Sequence, residues 1–373
     1  MYTLIKLKKI SLSNLMTKIK FFKLDKLYNY SISEKKQFFD NQIFELIKFH
    51  KKKSKNFKKI IDNFDTKSFK RLISIPPLPI TVFKKYDLLS VRKSKIIKVL
   101  RSSGTTGSST SKIFLDSNNS KNQTWVLSKI MENIFGNKRL PMLIIEKEPN
   151  YNILNRSEFN ARIAAINGFS IFAKNRYFIF NEKNEIDNNK LIKFFEKYCN
   201  KKFIIFGFTD QIFNCFYKKK LNKKYAKFLK NGILVHGGGW KKLENQKVNN
   251  DKFKKTINST YKINKIYNYY GLIEQTGSIF IECPECSSFK CSIYSDVIIR
   301  DKNLNEVKKD GEIGLLQVMS TIPTSYPGNV ILTEDLAEFT NDTKCNSCKN
   351  YKGNRFRIHG RVKNSEIRGC ANI

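Results

Sequence analysis

The stretch of the sequence with the clearest chemical content is a loop of small and hydroxyl residues at 101–112, RSSGTTGSSTSK. Its two glycines let backbone amides converge on an anion, and its hydroxyl groups donate further hydrogen bonds. The Walker A spacing is absent, and from these residues alone a flexible linker is an equal alternative. The candidate phosphate-binding residues are Ser103, Gly104, Thr105, Thr106, Gly107 and Lys112.

A second candidate for chemistry is Cys370, which follows Gly369 and lies two residues after Arg368 near the C-terminus. Chain ends are usually mobile, and a nearby cation favours the thiolate, which is the nucleophilic form of the side chain. From composition alone an unreactive terminal cysteine is the simpler interpretation. The case for Cys370 as a nucleophile therefore depends on the rest of the sequence.

Two C-x-x-C pairs form a third group of reactive side chains, Cys283 with Cys286 and Cys345 with Cys348. Four thiolates in two such pairs suit a tetrahedral structural Zn²⁺, although the spacer at 287–344 is longer than in a compact zinc ribbon. Cys291 follows the first pair and could replace one of the four. Free thiols are the second interpretation. Disulfides are the third, disfavoured because the sequence shows no secretory signal.

The elements that must position these residues alternate along the chain. Apolar runs predict strands at 142–145, 177–180, 203–208, 233–236, 297–299 and 315–319. Helical patterns lie at 121–135, 158–167, 187–199, 210–217, 221–230 and 251–261. This alternation predicts an α/β fold with a mainly parallel or mixed sheet and flanking helices. An amphipathic helix is expected upstream at 34–53, and the proline-rich segment 76–79 marks a boundary.

The charge balance points first to an anionic partner, because 70 basic and 32 acidic residues among 373 give a net charge of +38. Only 12 of the basic residues are arginines, whereas proteins that read phosphates and bases favour the bidentate arginine fork. We interpret the excess as lysine-rich compositional drift and expect no dedicated nucleic-acid surface. Residues 1–70 hold 18 lysines against six acidic residues, and this denser basic segment could dock an acidic partner. His50, beside Lys51, is expected at the surface.

The apolar residues are distributed as in a protein with its own core and no membrane span. They make up 40% of the sequence, which argues against disorder. No apolar run approaches the roughly 20 residues that cross a bilayer. Lys6, Lys8 and Lys9 interrupt the first apolar stretch, so it does not read as a secretory signal. We therefore expect a cytoplasmic protein.

Five motifs in a fixed order resemble those of the adenylate-forming superfamily, which includes acyl-CoA synthetases and luciferases. The first is the loop at 101–112, whose SSGTTG followed by a lysine looks like the superfamily's phosphate loop. The others are HGGGWKK at 236–242, YYGLIEQTG at 269–277, LTED at 332–335 and GRVK at 360–363. Each motif is weak by itself, but five in the correct order form a specific pattern.

The resemblance implies a role for each matching residue. Tyr270 would stack on the adenine, Glu274 would hold Mg²⁺ beside the phosphates, and Asp335 would bind the ribose hydroxyls. The usual threonine of the Tyr-Gly-x-Thr-Glu motif is replaced by an isoleucine, so its phosphate contact is expected from Gln275 or Thr276. The remaining residues assigned to the nucleotide are Gly237, Gly238, Gly239, Gly271 and Arg361. His236 either orders the glycine loop or caps the preceding strand.

Within the superfamily the sequence most resembles the LuxE-type acyl-protein synthetases, the long-chain-fatty-acid ligase component of fatty acid reductases. The likeness lies in residues 79–84, 236–242, 274–280, 324–328 and 360–370. The chain ends 12 residues after Arg361, so the usual mobile C-terminal domain is expected to be lacking, as in the LuxE type. We accordingly predict a lysine-rich helical segment at 1–70, an adenylating domain at 71–359 with a cysteine knuckle, and a hinge and flexible tail at 360–373.

The resemblance implies an AMP-forming ligase that uses ATP and Mg²⁺. A carboxylic acid, implied to be a fatty acid, would become an acyl-adenylate with help from Lys112 and Glu274, and Cys370 would take the acyl group as a thioester. An acyl-reductase or acyl-carrier protein would be the partner. Two alternatives remain: transfer to a separate carrier protein or coenzyme A, and a non-enzymatic basic nucleic-acid-binding protein.

Overall fold

The protein is built on a large mixed sheet with helices on its faces, as described by a computed structural model over residues 21–24, 27–65, 69–102, 110–150, 158–341 and 344–362. The helices are α1 Ile32–Lys53, α2 Lys55–Ile61, α3 Val82–Lys85, α4 Ser117–Phe135, α5 Ala161–Ser170, α6 Asn188–Tyr198, α7 Thr209–Ile212, α8 Ala226–Leu229 and α9 Asn250–Tyr261.

The strands follow the same chain order. They are β1 Leu78–Pro79, β2 Ile96–Arg101, β3 Lys112–Asp116, β4 Leu140–Lys147, β5 Glu158–Asn160, β6 Ala173–Phe180, β7 Phe203–Phe208, β8 Gly232–Gly237, β9 Lys265–Tyr270, β10 Phe280–Glu282, β11 Phe289–Lys290, β12 Ser295–Arg300, β13 Glu306–Val307, β14 Gly314–Ser320, β15 Val330–Phe339 and β16 Arg355–Arg361. The predicted strands are confirmed in β4, β6, β7, β8, β12 and β14.

One half of the large sheet is parallel, in the order β6-β4-β7-β8-β9. Every residue of β7 is buried, as expected for a central parallel strand that is covered on both faces. Because the carboxyl ends of parallel strands meet at one edge, β7, β8 and β9 all end on the same side of the sheet. The predicted α/β class is therefore confirmed.

The other half of the sheet continues in antiparallel fashion from β9 through β10, β11, β16, β15, β14 and β12 to β13. The short strand β1 pairs in parallel with β15. A separate three-stranded sheet has the order β3-β2-β5.

Three predicted helices differ from the observed ones. The helix expected at 221–230 is shortened to a 3₁₀ turn at Lys223–Tyr225 followed by the four-residue α8. The segment expected as a helix at 158–167 begins with β5, because Glu158 pairs with Val99 of β2 before α5 starts at Ala161. The helix expected at 210–217 is divided into α7 and a π-helical turn at Phe213–Tyr217. The pairing of β5 with β2 is a tertiary contact, which helical periodicity in the sequence does not record.

The N-terminal helix α1 confirms the amphipathic helix expected at 34–53. Ser31 and Glu34 form a capping box at its start. Its apolar face belongs to the same core as strands β12, β14, β15 and β16. Lys35 is 5% exposed, and its Nζ lies 2.9 Å from the Ser295 carbonyl oxygen and 3.1 Å from Asp296 Oδ2. This buried ion pair ties α1 to the start of β12.

The expectation that His50 lies at the surface is wrong. His50 is fully buried at the end of α1, with Nδ1 2.6 Å from Ser90 Oγ and Nε2 3.4 Å from the Pro323 carbonyl oxygen. Burial lowers the pKa of His50 to about 3, so the ring is neutral. The neighbouring lysines suggested exposure, but in a helix adjacent residues point in different directions.

Among the helices of the described ranges, none combines the length and the apolar character needed to cross a bilayer. The three-segment division of the chain at residues 70 and 359 stays a prediction.

Candidate active site

The ends of the predicted phosphate loop are held at the open end of the β2–β3 pair, where Arg101 pairs with Lys112. Ser102 N–H donates to the Ser111 carbonyl oxygen at 3.1 Å, and Ser111 N–H donates to Ser102 Oγ at 2.8 Å. Both serines are buried, so the base of the loop is fixed. Lys112 Nζ lies 3.5 Å from Asp87 Oδ1. The predicted loop residues Ser103, Gly104, Thr105, Thr106 and Gly107 lie outside the described residues.

The three predicted glycines occupy the carboxyl end of β8. A Cβ atom on Gly237 would lie 2.6 Å from both the ring Cε1 and the carbonyl oxygen of Tyr269, so only glycine allows β8 and β9 to approach this closely. Gly238 and Gly239 have φ angles of +85° and +73°, a conformation that favours glycine. The sequence of three glycines therefore permits a tight exit from the sheet at the edge where ligands of parallel sheets bind.

His236 is buried just before these glycines and supports them through a threonine. Thr209 Oγ1 donates to the Gly237 carbonyl oxygen at 3.1 Å, so it accepts from His236 Nδ1–H, also at 3.1 Å. Burial, reinforced by the charge of Lys254, lowers the pKa of His236 to about 3. The arrangement supports the interpretation in which a neutral His236 orders the glycine loop.

Three residues assigned to the nucleotide converge from β9, β15 and β16. The Tyr270 hydroxyl donates to Asp335 Oδ2 at 2.6 Å, and Arg361 Nε donates to Asp335 Oδ1 at 3.3 Å. Asp335 and Arg361 are directly paired in the β15–β16 register. Burial, reinforced by the Asp335 carboxylate, raises the pKa of Tyr270 and keeps its hydroxyl protonated. The fold thus brings together side chains that are up to 91 positions apart in the sequence.

The turn after β9 places the predicted magnesium ligand and its neighbours. Glu274 is only 2% exposed. Gln275 Nε2 donates to the Gly328 carbonyl oxygen at 2.9 Å, and Thr276 Oγ1 donates to Gln123 Oε1 of α4 at 2.6 Å. Gln275 therefore fixes the turn against the loop before β15, and Thr276 fixes it against α4. Gly271 begins the turn, and a Cβ atom there would lie 3.1 Å from Ile279 Cγ2.

The four cysteines of the two C-x-x-C pairs converge on one point. Their sulfur atoms all lie within 4.8 Å of one another. The Sγ atoms of Cys283 and Cys345 are 3.7 Å apart, as are those of Cys286 and Cys348. Among the described cysteines none forms a disulfide.

The expectation that Cys291 could replace one of the four is not met, because this thiol is not among the converging sulfur atoms. Cys291 is fully buried, and the hydroxyls of Tyr30 and Tyr351 donate to its carbonyl oxygen at 2.8 Å and 2.5 Å. The other reactive cysteine of the sequence, Cys370, lies outside the described residues.

Three contributors to this region escaped sequence reasoning: Gln123, Thr209 and Arg162. Thr209 follows directly after the fully buried strand β7, and that position at the carboxyl end of a parallel strand is a signal that could have found it. Arg162 makes an ion pair with Glu146, and its guanidinium carbon lies 4.2 Å from the centroid of the Phe208 ring. Gln123 lies on an ordinary helical stretch and carries no such signal.

Comparison with known protein families finds a match over nearly the whole chain. The profile of the family described as "Acyl-protein synthetase, LuxE" matches residues 11–373. A curated relative is the "Long-chain-fatty-acid--luciferin-component ligase" of Aliivibrio fischeri, which is 24% identical over 364 residues, covering 93% of this chain and 90% of the relative.

Similar solved structures agree on the fold. An open conformation of 2-hydroxyisobutyryl-CoA ligase, in complex with 2-HIB-AMP and CoA, has a TM-score of 0.69 and 14% identity over 90% of this chain and 77% of that one. The same ligase in the thioesterification state also gives 0.69, with 14% identity over 90% of this chain and 70% of that one. The fold is therefore that of the large domain of adenylate-forming ligases.

Proposed function

Because the chain belongs to the LuxE family of acyl-protein synthetases, we propose that this ligase converts a carboxylic acid to an acyl-adenylate and then carries the acyl group on Cys370. The observation that supports this most directly is the convergence of Tyr270, Asp335 and Arg361 at the edge where β8 and β9 end. These are the residues that the family motifs assign to the nucleotide.

The nucleoside end of ATP would be recognised by Asp335. An ionised carboxylate has about four acceptor positions. Tyr270 and Arg361 occupy one position on each oxygen, which leaves acceptor capacity for the two ribose hydroxyls. Tyr270 is held in place by this hydrogen bond, so its ring keeps a fixed orientation for contact with the adenine.

The phosphates would be bound by the loop between β2 and β3, with Lys112 at its end. Glu274 would hold Mg²⁺ beside them, and its nearly buried carboxylate offers the oxygen donor that this cation prefers. The cation would offset negative charge on the phosphates. Lys112 would also offset negative charge, because its ammonium group stabilises the charge that develops on the leaving pyrophosphate.

The proposed reaction has two steps. A carboxylate oxygen of the acid attacks the α-phosphorus of ATP, the bond to the bridging oxygen breaks, and pyrophosphate leaves. The Cys370 thiolate then attacks the acyl carbon, a carbon–sulfur bond forms, and AMP leaves with the electron pair of the broken carbon–oxygen bond. A thiolate is a strong enough nucleophile for this step without a further base.

We propose a fatty acid as the substrate, because the Aliivibrio fischeri relative is named as a long-chain-fatty-acid ligase. The thioester is a reactive carrier, so the partner would be a protein that consumes it, either an acyl reductase or an acyl carrier. The alternative in which the adenylate is passed directly to a carrier protein or coenzyme A leaves Cys370 without a role. The two therefore differ in whether Cys370 is needed. The cytoplasmic location stays a prediction.

Pyrophosphate exchange into ATP, measured with a panel of short-chain, long-chain and aromatic acids, tests the activation step. We expect exchange with at least one acid, equally in the wild type and in Cys370→Ser, because the thiol acts after adenylation. Glu274→Gln should lower the exchange rate by about 100-fold or more. Cys199→Ser, at a cysteine remote from the motifs, is the control. Absence of exchange with every acid would contradict the proposal.

The four converging cysteines would hold a structural Zn²⁺ that takes no part in the reaction. Zinc–sulfur bonds of about 2.3 Å in a tetrahedron separate the sulfur atoms by about 3.8 Å. Two of the sulfur–sulfur distances in the cluster are 3.7 Å. Four sulfur ligands leave no open position for water or substrate, which is the arrangement of a structural site. Elemental analysis of protein purified without added metal should find about one zinc per chain.

A further inference from the structure

The cysteine cluster joins two connections of the antiparallel half of the sheet. Cys283 and Cys286 lie between β10 and β11, whereas Cys345 and Cys348 lie between β15 and β16. The two connections are 59 residues apart in sequence, from Cys286 to Cys345. A metal bound by all four sulfur atoms would therefore cross-link β10 and β11 to β16.

The strands that meet at this cross-link also carry the nucleotide residues. β9 ends in Tyr270 and pairs with β10, while β16 ends in Arg361 and pairs with both β11 and β15. In the sheet order, β10, β11 and β16 separate β9 from β15. The Tyr270 hydroxyl nevertheless reaches Asp335 of β15 at 2.6 Å. Flat strands spaced at about 4.8 Å would not allow this contact, so the sheet must curl strongly here.

Aromatic rings fill the inside of this curl. The ring centroid of Tyr270 lies 6.2 Å from those of Phe280, Phe289 and Phe356, one each from β10, β11 and β16. These rings pack against one another on the concave side of the sheet. They are apolar contacts without a fixed direction, so they do not by themselves hold the strands in one curvature.

Polar contacts connect the cluster to the strand that bears Arg361. The guanidinium of Arg357, on β16, donates to the Cys286 carbonyl oxygen at 3.1 Å and 3.3 Å. Thr340 Oγ1 donates to Ser288 Oγ at 2.9 Å and joins the same two connections. Arg357 and Arg361 lie four residues apart on one strand, or about 13 Å at 3.3 Å per residue. The cluster thus acts on the strand, not on the nucleotide itself.

We infer that the four-cysteine site is a brace that fixes the curl of the sheet and thereby holds Asp335 and Arg361 against Tyr270. This inference rests on the zinc site and the nucleotide site proposed above. Zinc would raise the affinity for ATP from a position that does not touch ATP. Losing the metal would loosen β16, and the three side chains would then have to be ordered again by the nucleotide, which weakens its binding.

The test compares variants of Cys286, the one member of the cluster that is only partly buried. Cys286→Ser removes a thiolate, whereas Cys286→His offers a nitrogen that can complete a three-cysteine, one-histidine zinc site. Cys199→Ser controls for the loss of a cysteine elsewhere. Zinc content is measured by elemental mass spectrometry, and folding is measured by circular dichroism. The dissociation constant for ATP is measured by calorimetry without a carboxylic acid, so that no adenylate forms.

We expect Cys286→Ser to lose zinc and to bind ATP about tenfold more weakly while its far-ultraviolet spectrum stays native. Cys286→His and Cys199→Ser should keep both zinc and wild-type ATP affinity. Should the serine variant unfold, removing zinc from the wild type with a chelator and restoring it provides the same comparison within one chain. Addition of zinc should then recover the ATP affinity.

Each component fails in its own way. If the purified wild-type protein contains no zinc and all of its thiols react freely with a thiol reagent, the proposed metal site is wrong. A folded, zinc-free protein with unchanged ATP affinity would overturn the brace and leave the metal site standing. Normal ATP binding without pyrophosphate exchange would instead contradict the proposed reaction, and the effect of zinc on ATP affinity could still be measured.

Discussion

At the scale of single residues, three of the less exposed arginines in this lysine-rich chain lie where the geometry of the guanidinium group is used. Arg361 contacts Asp335, and Arg162 forms an ion pair with Glu146. Arg300 is 4% exposed, and its nitrogens reach the side chain of Gln317 and two carbonyl oxygens. Lysine serves equally well on a solvated surface, but its single ammonium group cannot reproduce a fork of directed donors. In this lysine-rich chain, an arginine is therefore a better indicator of a functional or structural contact than a lysine is.

Arg361→Lys tests this interpretation at the nucleotide site. The substitution keeps the charge but loses the Nε donor to Asp335, so we expect the KM for ATP in pyrophosphate exchange to rise about 5- to 30-fold. The contact is formed in the ground state and in the transition state alike, so kcat should change less than twofold. Arg92→Lys, at an exposed position, is the matched control. An unchanged KM for ATP in Arg361→Lys would show that the arginine is not part of the site.

At the scale of elements, the sequence predicted local structure better than the pairing between distant segments. Buried runs such as Phe203–Phe208 identified β7 to the residue, because a strand covered on both faces must be apolar throughout. The π-helical turn and β5 escaped, and β5 did so because it depends on a partner strand elsewhere in the chain. The motif residues Tyr270 and Asp335 were found by resemblance, but their direct hydrogen bond required the curl of the sheet.

The docking of α1 was likewise not predictable from the basic composition around it. Its apolar positions indicated a packing helix, whereas the lysines after His50 suggested a solvated end. In the structure His50 contacts Ser90 and the Pro323 carbonyl oxygen, so the side of the last turn that bears His50 packs against the loops before β2 and β15.

Burial of His50 at the end of α1 should make the free energy of unfolding depend on pH. The pKa of His50 is lowered from 6.5 to about 3 in the folded protein. Below pH 6.5 the unfolded chain therefore binds the proton that the folded chain excludes, and stability falls as the pH decreases toward 3. We expect His50 to contribute a loss of about 2 kcal/mol between pH 7 and pH 5. Urea unfolding at the two pH values should show a smaller decrease in His50→Gln than in the wild type. Equal decreases in both proteins would contradict the buried, neutral histidine.

Gly237→Ala tests the close approach of β8 and β9. Its Cβ atom would lie 2.6 Å from the backbone oxygen and the ring of Tyr269, so the strands must separate. Such overpacking costs about 1–3 kcal/mol of stability and should also weaken ATP binding. Gly168→Ala, in helix α5, is the control. Its Cβ atom would lie 3.5 Å from Leu127 of α4, which is an ordinary van der Waals contact. Thermal unfolding should show a loss for the first variant and none for the second.

At the scale of the whole molecule, most of the net charge of +38 lies on lysines that take no part in the proposed reaction. Several exposed lysines lie over aromatic rings, as Lys197 does over Tyr198 and Lys227 over Phe228, at 5.5 Å and 4.9 Å from the ring centroids. These side chains cover apolar surface while their charges remain in water. The residues that carry the proposed reaction are few, and most of the lysines lie outside every motif.

Nucleic-acid binding should accordingly be weak. A charge-driven interaction with many phosphates loses about 10³–10⁵ in affinity between 50 and 200 mM salt. We expect only weak association with a DNA duplex of mixed sequence at low salt, and none measurable at about 150 mM salt, in fluorescence anisotropy. Tight binding with the steep salt dependence would instead favour a nucleic-acid-binding protein.

The thioester on Cys370 is the central claim about the molecule, and the mass of the intact protein tests it most directly. After incubation with ATP, Mg²⁺ and an acid that supports pyrophosphate exchange, we predict that the chain gains the mass of that acid less one water. The gain should map to the peptide that contains Cys370 and be reversed by hydroxylamine. Cys199→Ser should behave as the wild type, and Cys370→Ser should gain no mass while still exchanging pyrophosphate. An unmodified wild-type chain that nevertheless exchanges pyrophosphate would contradict the account.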